Sequence, residues 1–315
     1  MSVKNRAEAF APASMANVGV GFDILGLALQ DAGDIVRAEW HDVPGVVMLA
    51  IEGDGGALTL DAAKNTASVA ANAFLKCIGE TQRGIGLTLF KNLPLASGLG
   101  SSAASAVAAV VAANALFGEP LAREDLLACA LEGEALVSGY HADNVAPSLL
   151  GGLVLVTGTT PDQIRHLPIP TNMHLALITP DVAVPTAEAR AVLPKEIPLK
   201  AMVSQTAAVA RLIDALYRND LQAAAAAMEL DTIVEPARAY LMPYLYEMRA
   251  AAKQTGALAL VISGAGPTLC ALCESEAVAL QVSEVMHALY TEKGLESVAR
   301  HTKVDEVGAR VLHSS

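Results

Sequence analysis

Leu93-Pro94-Leu95-Ala96-Ser97-Gly98-Leu99-Gly100-Ser101-Ser102-Ala103-Ala104 is the stretch on which the fold turns. The alternating segment Gly86 to Phe90 leads into it. Ala103 to Leu116, rich in alanine and free of proline and glycine, leads out of it. The order is strand, glycine-serine loop, helix N-terminus. Glycines let a backbone turn tightly and remove the side chains that would hold a ligand away. The helix behind offers free N–H groups and the positive end of its dipole, which together make an anion site, most often for phosphate. Gly98-Leu99-Gly100-Ser101-Ser102-Ala103 also fits the looser dinucleotide pattern, and Glu119 lies near the expected ribose-binding offset. The loop alone therefore leaves NAD binding and phosphoryl transfer both open, beside a plain tight turn with Ser101 or Ser102 as N-cap. Two adjacent hydroxyls favour ATP, since one can cap the helix while the other reaches a nucleotide-bound magnesium ion. A Walker A glycine-lysine-serine/threonine run is absent from the sequence.

The bulk composition narrows the setting. At 315 residues the chain can build a large core or two moderate domains. Hydrophobic residues make up 53% but aromatics only 4%, so the core is expected from Ala, Leu and Val. A formal net charge of -12 argues against nucleic acid and anionic membranes as partners, while leaving room for a local basic pocket. Met1 to Arg6 is mostly polar and no signal-peptide core follows it; no apolar run reaches the length of a membrane span. Cys77, Cys129, Cys270 and Cys273 form no disulfide-rich pattern. Cys270-Ala271-Leu272-Cys273 sits in an alternating, strand-like stretch, so buried reduced thiols in a cytoplasmic compartment are expected.

Along the chain, strands are expected over Ala7 to Ala13, Asp34 to Trp40, Val46 to Ile51, Leu153 to Thr157, Met173 to Thr179 and Ala257 to Ser263. Asn65 precedes an apolar helical pattern through Ile78 as a plain N-cap candidate. Leu121 to Val137 reads as a second long helix. Pro198 to Tyr217, Leu221 to Leu230 and Ala237 to Gln254 read as a helical middle, and Ala277 to Tyr290 as an amphipathic helix before a closing strand from Ser297 to Leu312. Thr159 to Thr171 reads as a connection between domains. Lys91 is a candidate phosphate partner. The chemistry concentrates in Pro12 to Asp23 and in Ser138-Gly139-Tyr140-His141-Ala142-Asp143-Asn144, read as loops. Asn17 and Asp23 are equally well read there as local turn hydrogen-bonders.

A proline followed by Gly98-Leu99-Gly100-Ser101-Ser102-Ala103 resembles the central signature of the GHMP kinases, the superfamily of galactokinase, homoserine kinase and mevalonate kinase. The run Ser138 to Gly152 closely resembles the corresponding loop of the homoserine kinases, and Gly264-Ala265-Gly266-Pro267 resembles the third signature. The likeness runs from Pro12 to Thr268. It implies an α+β, GHMP kinase-like two-domain fold: an N-terminal domain, 1–160, with ribosomal protein S5 domain 2-like topology, and a C-terminal ferredoxin-like α/β sandwich, 161–315. The implied reaction is ATP-dependent phosphorylation of the side-chain hydroxyl of L-homoserine to O-phospho-L-homoserine, in threonine biosynthesis, with Mg2+. A homodimer is compatible with it.

By the same resemblance Asn65 would hold the adenosine side. Pro94, Leu95, Ala96, Ser97, Gly98, Leu99, Gly100, Ser101 and Ser102 would hold the ATP phosphates, and Ser102 with Glu134 the magnesium ion. Asn17 would contact homoserine, Asp23 its ammonium group, and Arg190 and Arg238 its carboxylate, a pairing guanidinium geometry suits. His141 and Asn144 would orient the hydroxyl. Asp143 belongs to the site in a supporting role, with base catalysis a hypothesis. The alternatives are a GHMP kinase for another small hydroxylated acid and a catalytically idle ligand-binding paralogue.

Overall fold

The computed structural model describes residues 4–315; Met1 to Val3, part of the polar start, lie outside the described residues. The first elements are β1 (Arg6–Ala16), β2 (Leu25–His41), β3 (Gly45–Glu52), α1 (Thr66–Cys77), β4 (Gly84–Phe90) and α2 (Ser101–Leu116). Then come α3 (Leu126–Glu134), α4 (Ala142–Leu150), β5 (Leu153–Val156) and β6 (Ile164–Leu167). The rest of the chain runs β7 (His174–Pro180), α5 (Thr186–Ala191), α6 (Leu199–Tyr217), α7 (Leu221–Met228), α8 (Val234–Arg238), α9 (Leu245–Gln254), β8 (Ala259–Ile262), β9 (Leu269–Cys273), α10 (Glu276–Glu292), β10 (Ser297–Thr302) and β11 (Arg310–Ser314).

The first sheet is ordered β11-β1-β2-β4-β3, with β5 pairing β2 and β6 extending β5. Only β3 and β4 run parallel among its described pairs. A doubly wound parallel sheet, the frame an NAD-binding loop would need, is not what this chain forms. β2 is longer than the expected Asp34 to Trp40: its second half pairs β4, and its first half pairs β5 through Leu25 to Leu27. Leu25 to Leu29 is buried throughout, and a strand covered on both faces carries no alternation to read.

Alanine explains the helix layer. Every residue of α2 except Ser102 is buried, because α1, α3 and α4 crowd it against β1 and β2. Small side chains permit that approach, and a helix apolar all round belongs inside a core. The helix at Leu121 to Val137 is shorter than expected, covering Leu126–Glu134. His141 to Asn144 is not loop: His141 occupies the N-cap position of α4, and Asp143 and Asn144 stand in its first turn. Gly139, Pro147 and the Gly151-Gly152 pair hid this helix. Pro147 lacks the N–H that would bond the Asp143 carbonyl, and that carbonyl lies against Gly26, where a Cβ would stand 1.8 Å from it.

The second sheet is antiparallel, ordered β10-β7-β9-β8. Its residues alternate between two cores. Leu175, Leu177, Cys270, Leu272, Ala259 and Val261 join the large core shared with the first sheet, α6 and α7. Ala176, Ile178, Leu269, Ala271, Cys273 and Leu260 face the smaller core under α9 and α10. Cys270 and Cys273 therefore point to opposite faces, as residues three apart on a strand must, and both thiols are free. Three expected stretches resolve differently. Thr159 to Thr171 contains β6, which pairs β5 in the first sheet. Ala237 to Gln254 is broken by a short 3-10 turn and by Tyr244, whose φ is 55°. Ser297 to Leu312 is two strands in two sheets, since β11 leaves β10 and pairs β1.

Candidate active site

The glycine-serine loop is pinned from behind by both parts of the molecule. Ser14 N–H donates to Leu99 O, Val184 N–H to Ala96 O and Thr268 N–H to Ser97 O, while Ser263 Oγ donates to Gly98 O. The carbonyls are thus spent on the protein. No backbone N–H from Leu95 to Gly100 finds an acceptor among the described residues. Free donors of this kind behind a helix N-terminus are what an anion completes. The N-cap of α2 is neither serine but Gly100, in the left-handed region at φ 61°, and no side chain caps the helix. A Cβ on Gly100 would lie 2.0 Å from Ser14 Oγ and 2.9 Å from Asn144 Oδ1.

Lys91 lines the cleft but holds no free ammonium donor for a phosphate there. Its Nζ pairs with Asp34 and donates to Ser101 O at 2.7 Å and Ser105 Oγ at 2.8 Å, using its three donors. Burial pulls its pKa below the usual lysine value against the attraction of Asp34. Asp34 Oδ1 in turn accepts N–H from Asn92 and Leu93. The pair fixes where the loop begins and where α2 starts.

The cleft in front of the loop has a volume of about 590 Å3. Of the sequence-predicted loop residues, Leu95 to Gly98 and Gly100 to Ser102 line it, whereas Pro94 and Leu99 face a separate pocket behind. Asn65 lines the cleft as the N-cap of α1, with Oδ1 accepting from Ala67 and Ser68 N–H and Nδ2 donating to Thr59 O. At one wall Ser102 Oγ donates to Glu134 Oε2 at 2.6 Å, and Ser138 Oγ donates to Oε1. Glu134 is 4% exposed. Burial raises its pKa; the two serines and Lys91 pull the other way.

At the opposite end Asp23 meets Arg190 through two bonds, Nη1 to Oδ2 at 3.0 Å and Nη2 to Oδ1 at 2.8 Å. Arg238 is 2% exposed and donates to Ala189 O and Gly264 O. Burial, then Arg190, lowers its pKa to about 10, so it stays charged at neutral pH. Arg190 Nε has no partner among the described residues. Asn17 positions this end: Nδ2 donates to Gly264 O and Oδ1 accepts Asp23 N–H. His141 Nδ1 stands 3.6 Å from Asp23 Oδ2. Burial holds its pKa below the usual histidine value despite Asp23, so the ring is neutral at pH 7 and the contact is no ion pair.

Asp143 and Asn144 lie between the two ends. Ser14 Oγ donates to Asn144 Oδ1 at 2.9 Å. Asp143 is 3% exposed, with Oδ1 unpartnered among the described residues. Burial first, then Asp23, raises its pKa to about 7, with Arg190 opposing. Two contributors were absent from the sequence reading. Ser14 fell in the stretch Pro12 to Asp23 that reads as loop, whereas it stands in β1, which runs on to Ala16. Phe22 stacks beneath both guanidiniums, 5.5 Å from Arg190 and 5.2 Å from Arg238; its place next to Asp23 was the only signal.

The family model for the GHMP kinases N terminal domain matches residues 65–152, and that for GHMP kinases C terminal matches residues 212–292. A homoserine kinase of Chloroherpeton thalassium is 40% identical, with 96% of this chain and 98% of that protein covered. A homoserine kinase of Arabidopsis thaliana is 42% identical over 97% of this chain and 84% of its own. The crystal structure of homoserine kinase from Cytophaga hutchinsonii superposes with a TM-score of 0.94 at 41% identity, covering 99% of both chains.

Proposed function

The chain belongs to the homoserine kinases, a branch of the GHMP kinases, and its reaction is ATP-dependent phosphorylation of L-homoserine; we propose the following division of labour in its cleft. The observation that carries it is the loop Leu95 to Gly100, whose backbone N–H groups find no acceptor among the described residues and whose residues, Leu99 apart, line the same cleft as Asp23, Arg190 and Arg238. The loop N–H groups and the α2 N-terminus hold the ATP phosphates and meet the charge of the transferring phosphoryl group. Asn65, fixed by its own capping bonds, shapes the adenosine side.

The acceptor end matches an amino-acid zwitterion. Arg190, through its unpartnered Nε, and Arg238 take the carboxylate; Asp23 takes the ammonium group, which needs a carboxylate when drawn out of water. Asn17 keeps Asp23 in place. His141 and Asn144 orient the side-chain hydroxyl in line with the γ-phosphate, and alignment of this kind carries much of the rate. The product is O-phospho-L-homoserine, a step of threonine biosynthesis. The four free cysteines support a cytoplasmic enzyme.

A divalent ion fits beside Glu134 only as a hard cation shared with phosphate oxygens and water. Among the described residues no group of three His, Cys, Asp or Glu side chains gathers to cage a metal, and Ser102 with Glu134 offers one hydroxyl and one carboxylate. That donor set suits Mg2+, which keeps several waters. When bound, it neutralises phosphate charge. Burial raises the Glu134 pKa, and only the ionised carboxylate is a good ligand for a hard cation. Apparent Mg2+ affinity is expected to climb with pH. In Glu134→Gln it should fall by at least about tenfold and lose that climb; activity titrated with Mg2+ at two pH values checks both.

Asp143 carries no obligatory proton transfer here, because a loose phosphoryl-transfer state demands little deprotonation in advance. Asp143→Asn is expected to keep turnover within about tenfold; a loss of about a thousandfold with the fold intact would make Asp143 the base. Its raised pKa also sets a stability trend. The folded state holds the proton more tightly, so this group's stabilisation is complete below about pH 4 and is lost as pH rises through 7. Asparagine mimics the neutral form, so the variant should gain stability over the parent between about pH 5 and 8, read by urea unfolding at each pH.

The reading itself is tested by ADP release with ATP and Mg2+, comparing L-homoserine with L-serine, L-threonine and mevalonate. Strong preference for homoserine is expected. Turnover of another acceptor instead would leave the phosphate end standing and overturn the assignment of Asp23, Arg190 and Arg238.

A further inference from the structure

A second cavity, about 650 Å3, lies directly behind the acceptor end. Its walls are mainly apolar: Ile24 from the N-terminal segment, Leu193 and Ile197 after α5, and Val209 and Ile213 from α6. One side chain lines both chambers, and it is Phe22. On its cleft side the ring lies under the two arginines assigned to the carboxylate. On its other side there is empty apolar space. The segment that carries it is held in costly geometry, since Asn17, Val18 and Asp23 all adopt positive φ at 72°, 45° and 60°. For a β-branched valine that is unusual backbone, and it persists only where the surroundings dictate it. The same segment is tied across the molecule by Gln205 Nε2 to Val20 O at 2.9 Å and Asn17 Nδ2 to Gly264 O at 2.8 Å.

We propose that Phe22 is a specificity-determining partition: its ring closes the carboxylate end of the acceptor site and denies acceptors the apolar chamber behind. The inference rests on the acceptor reading above and adds to it the reason why the site ends where it does. Without the ring the two chambers join beside Arg190 and Arg238. An acceptor with an apolar group attached at its carboxylate then has somewhere to place it. Apolar pockets discriminate weakly by attraction but strongly by exclusion, so removing a wall should widen the substrate range more than it harms the native substrate.

The probe is L-homoserine isobutylamide, which keeps the ammonium group and the hydroxyl and adds a branched alkyl group where the carboxylate was. The quantity read is kcat/KM for the amide divided by kcat/KM for L-homoserine, compared between parent and variant. Loss of the carboxylate charge penalises the amide in both enzymes and cancels in the comparison. Phe22→Ala is expected to raise the ratio by at least about tenfold. Ala210→Trp, at an exposed α6 position whose side of the helix lines the rear chamber, should return the ratio of the Phe22→Ala protein towards the parent value by filling the space. Mere loosening of the acceptor end would not respond to Ala210→Trp. Phe22→Leu, closer in volume, gives the same comparison with a smaller rise should the alanine variant fail to fold. A folded Phe22→Ala or Phe22→Leu enzyme whose ratio equals the parent's, in a parent active on homoserine, would overturn the partition alone. A parent inert towards homoserine would overturn the acceptor reading and the partition together.

Discussion

Lys91→Met should lower the free energy of unfolding by about 3–5 kcal/mol, the range found when one member of a buried ion pair is removed. Lys91 and Asp34 have side chains 2% and 0% exposed. Taking away the ammonium group leaves a carboxylate that water cannot reach. Asn92, Leu93 and Ser105 still donate to it, so the loss is set by the missing charge rather than by every bond around Asp34. The carbonyl of Ser101 also loses its donor, at the point where α2 begins. Urea unfolding followed by Trp40, the one tryptophan, measures the effect. The double variant Lys91→Met with Asp34→Leu should recover much of it, because an apolar pair of similar volume needs no compensation. A loss below about 1 kcal/mol, the range of exposed pairs, would mean that water reaches the site.

Gly100→Ala is expected to cut kcat/KM for ATP by more than about a hundredfold, equivalent to roughly 3 kcal/mol of transition-state stabilisation. Two costs combine. The left-handed backbone at φ 61° penalises any Cβ by about 1–2 kcal/mol. The new methyl would also stand 2.0 Å from Ser14 Oγ. Ser14 is wholly buried in β1 and its N–H holds Leu99 O, so the loop must yield instead. Its movement would disturb the N–H row and the Ser14 to Asn144 bond together. Gly118→Ala separates the causes: its φ is 81°, yet nothing lies within 4 Å of its Cβ position. That control should lose stability without a comparable kinetic loss. Equal kinetic effects in both variants would show that strain alone, not the contact with Ser14, governs the loop.

What the sequence made legible was local. Glycine, serine and alanine between Gly98 and Ala104 state a loop and a buried helix through backbone conformation and side-chain size, both properties of neighbouring residues. The charged clusters around Asp23 and His141 were legible as chemistry. Their geometry was not, because Pro147 and flanking glycines made α4 read as loop. Lys91 was misjudged for a different reason. A lysine beside a phosphate loop reads as a ligand until its partner is known, and Asp34 is 57 residues away in the chain. The serine caps failed likewise: Ser102 turns to Glu134, 32 residues on, and leaves Gly100 to begin the helix. Phe22 and Ser14 matter through contacts with distant elements, and apart from the position of Phe22 beside Asp23 no pattern in their own neighbourhood announces such contacts.

The pairing of β11 with β1 bears on how the chain reaches this state. During synthesis β1 emerges before every other described element, and β11 follows only after all of them. Until then β1 has an open edge and Val304 is missing from its bridge to Leu29. The emerging polypeptide must therefore carry an unfinished sheet for most of its synthesis, exposing a strand edge of the kind that recruits stray partners. Overproduction on fast-translating messages should accordingly favour aggregates, and slower synthesis or a holding chaperone should rescue them.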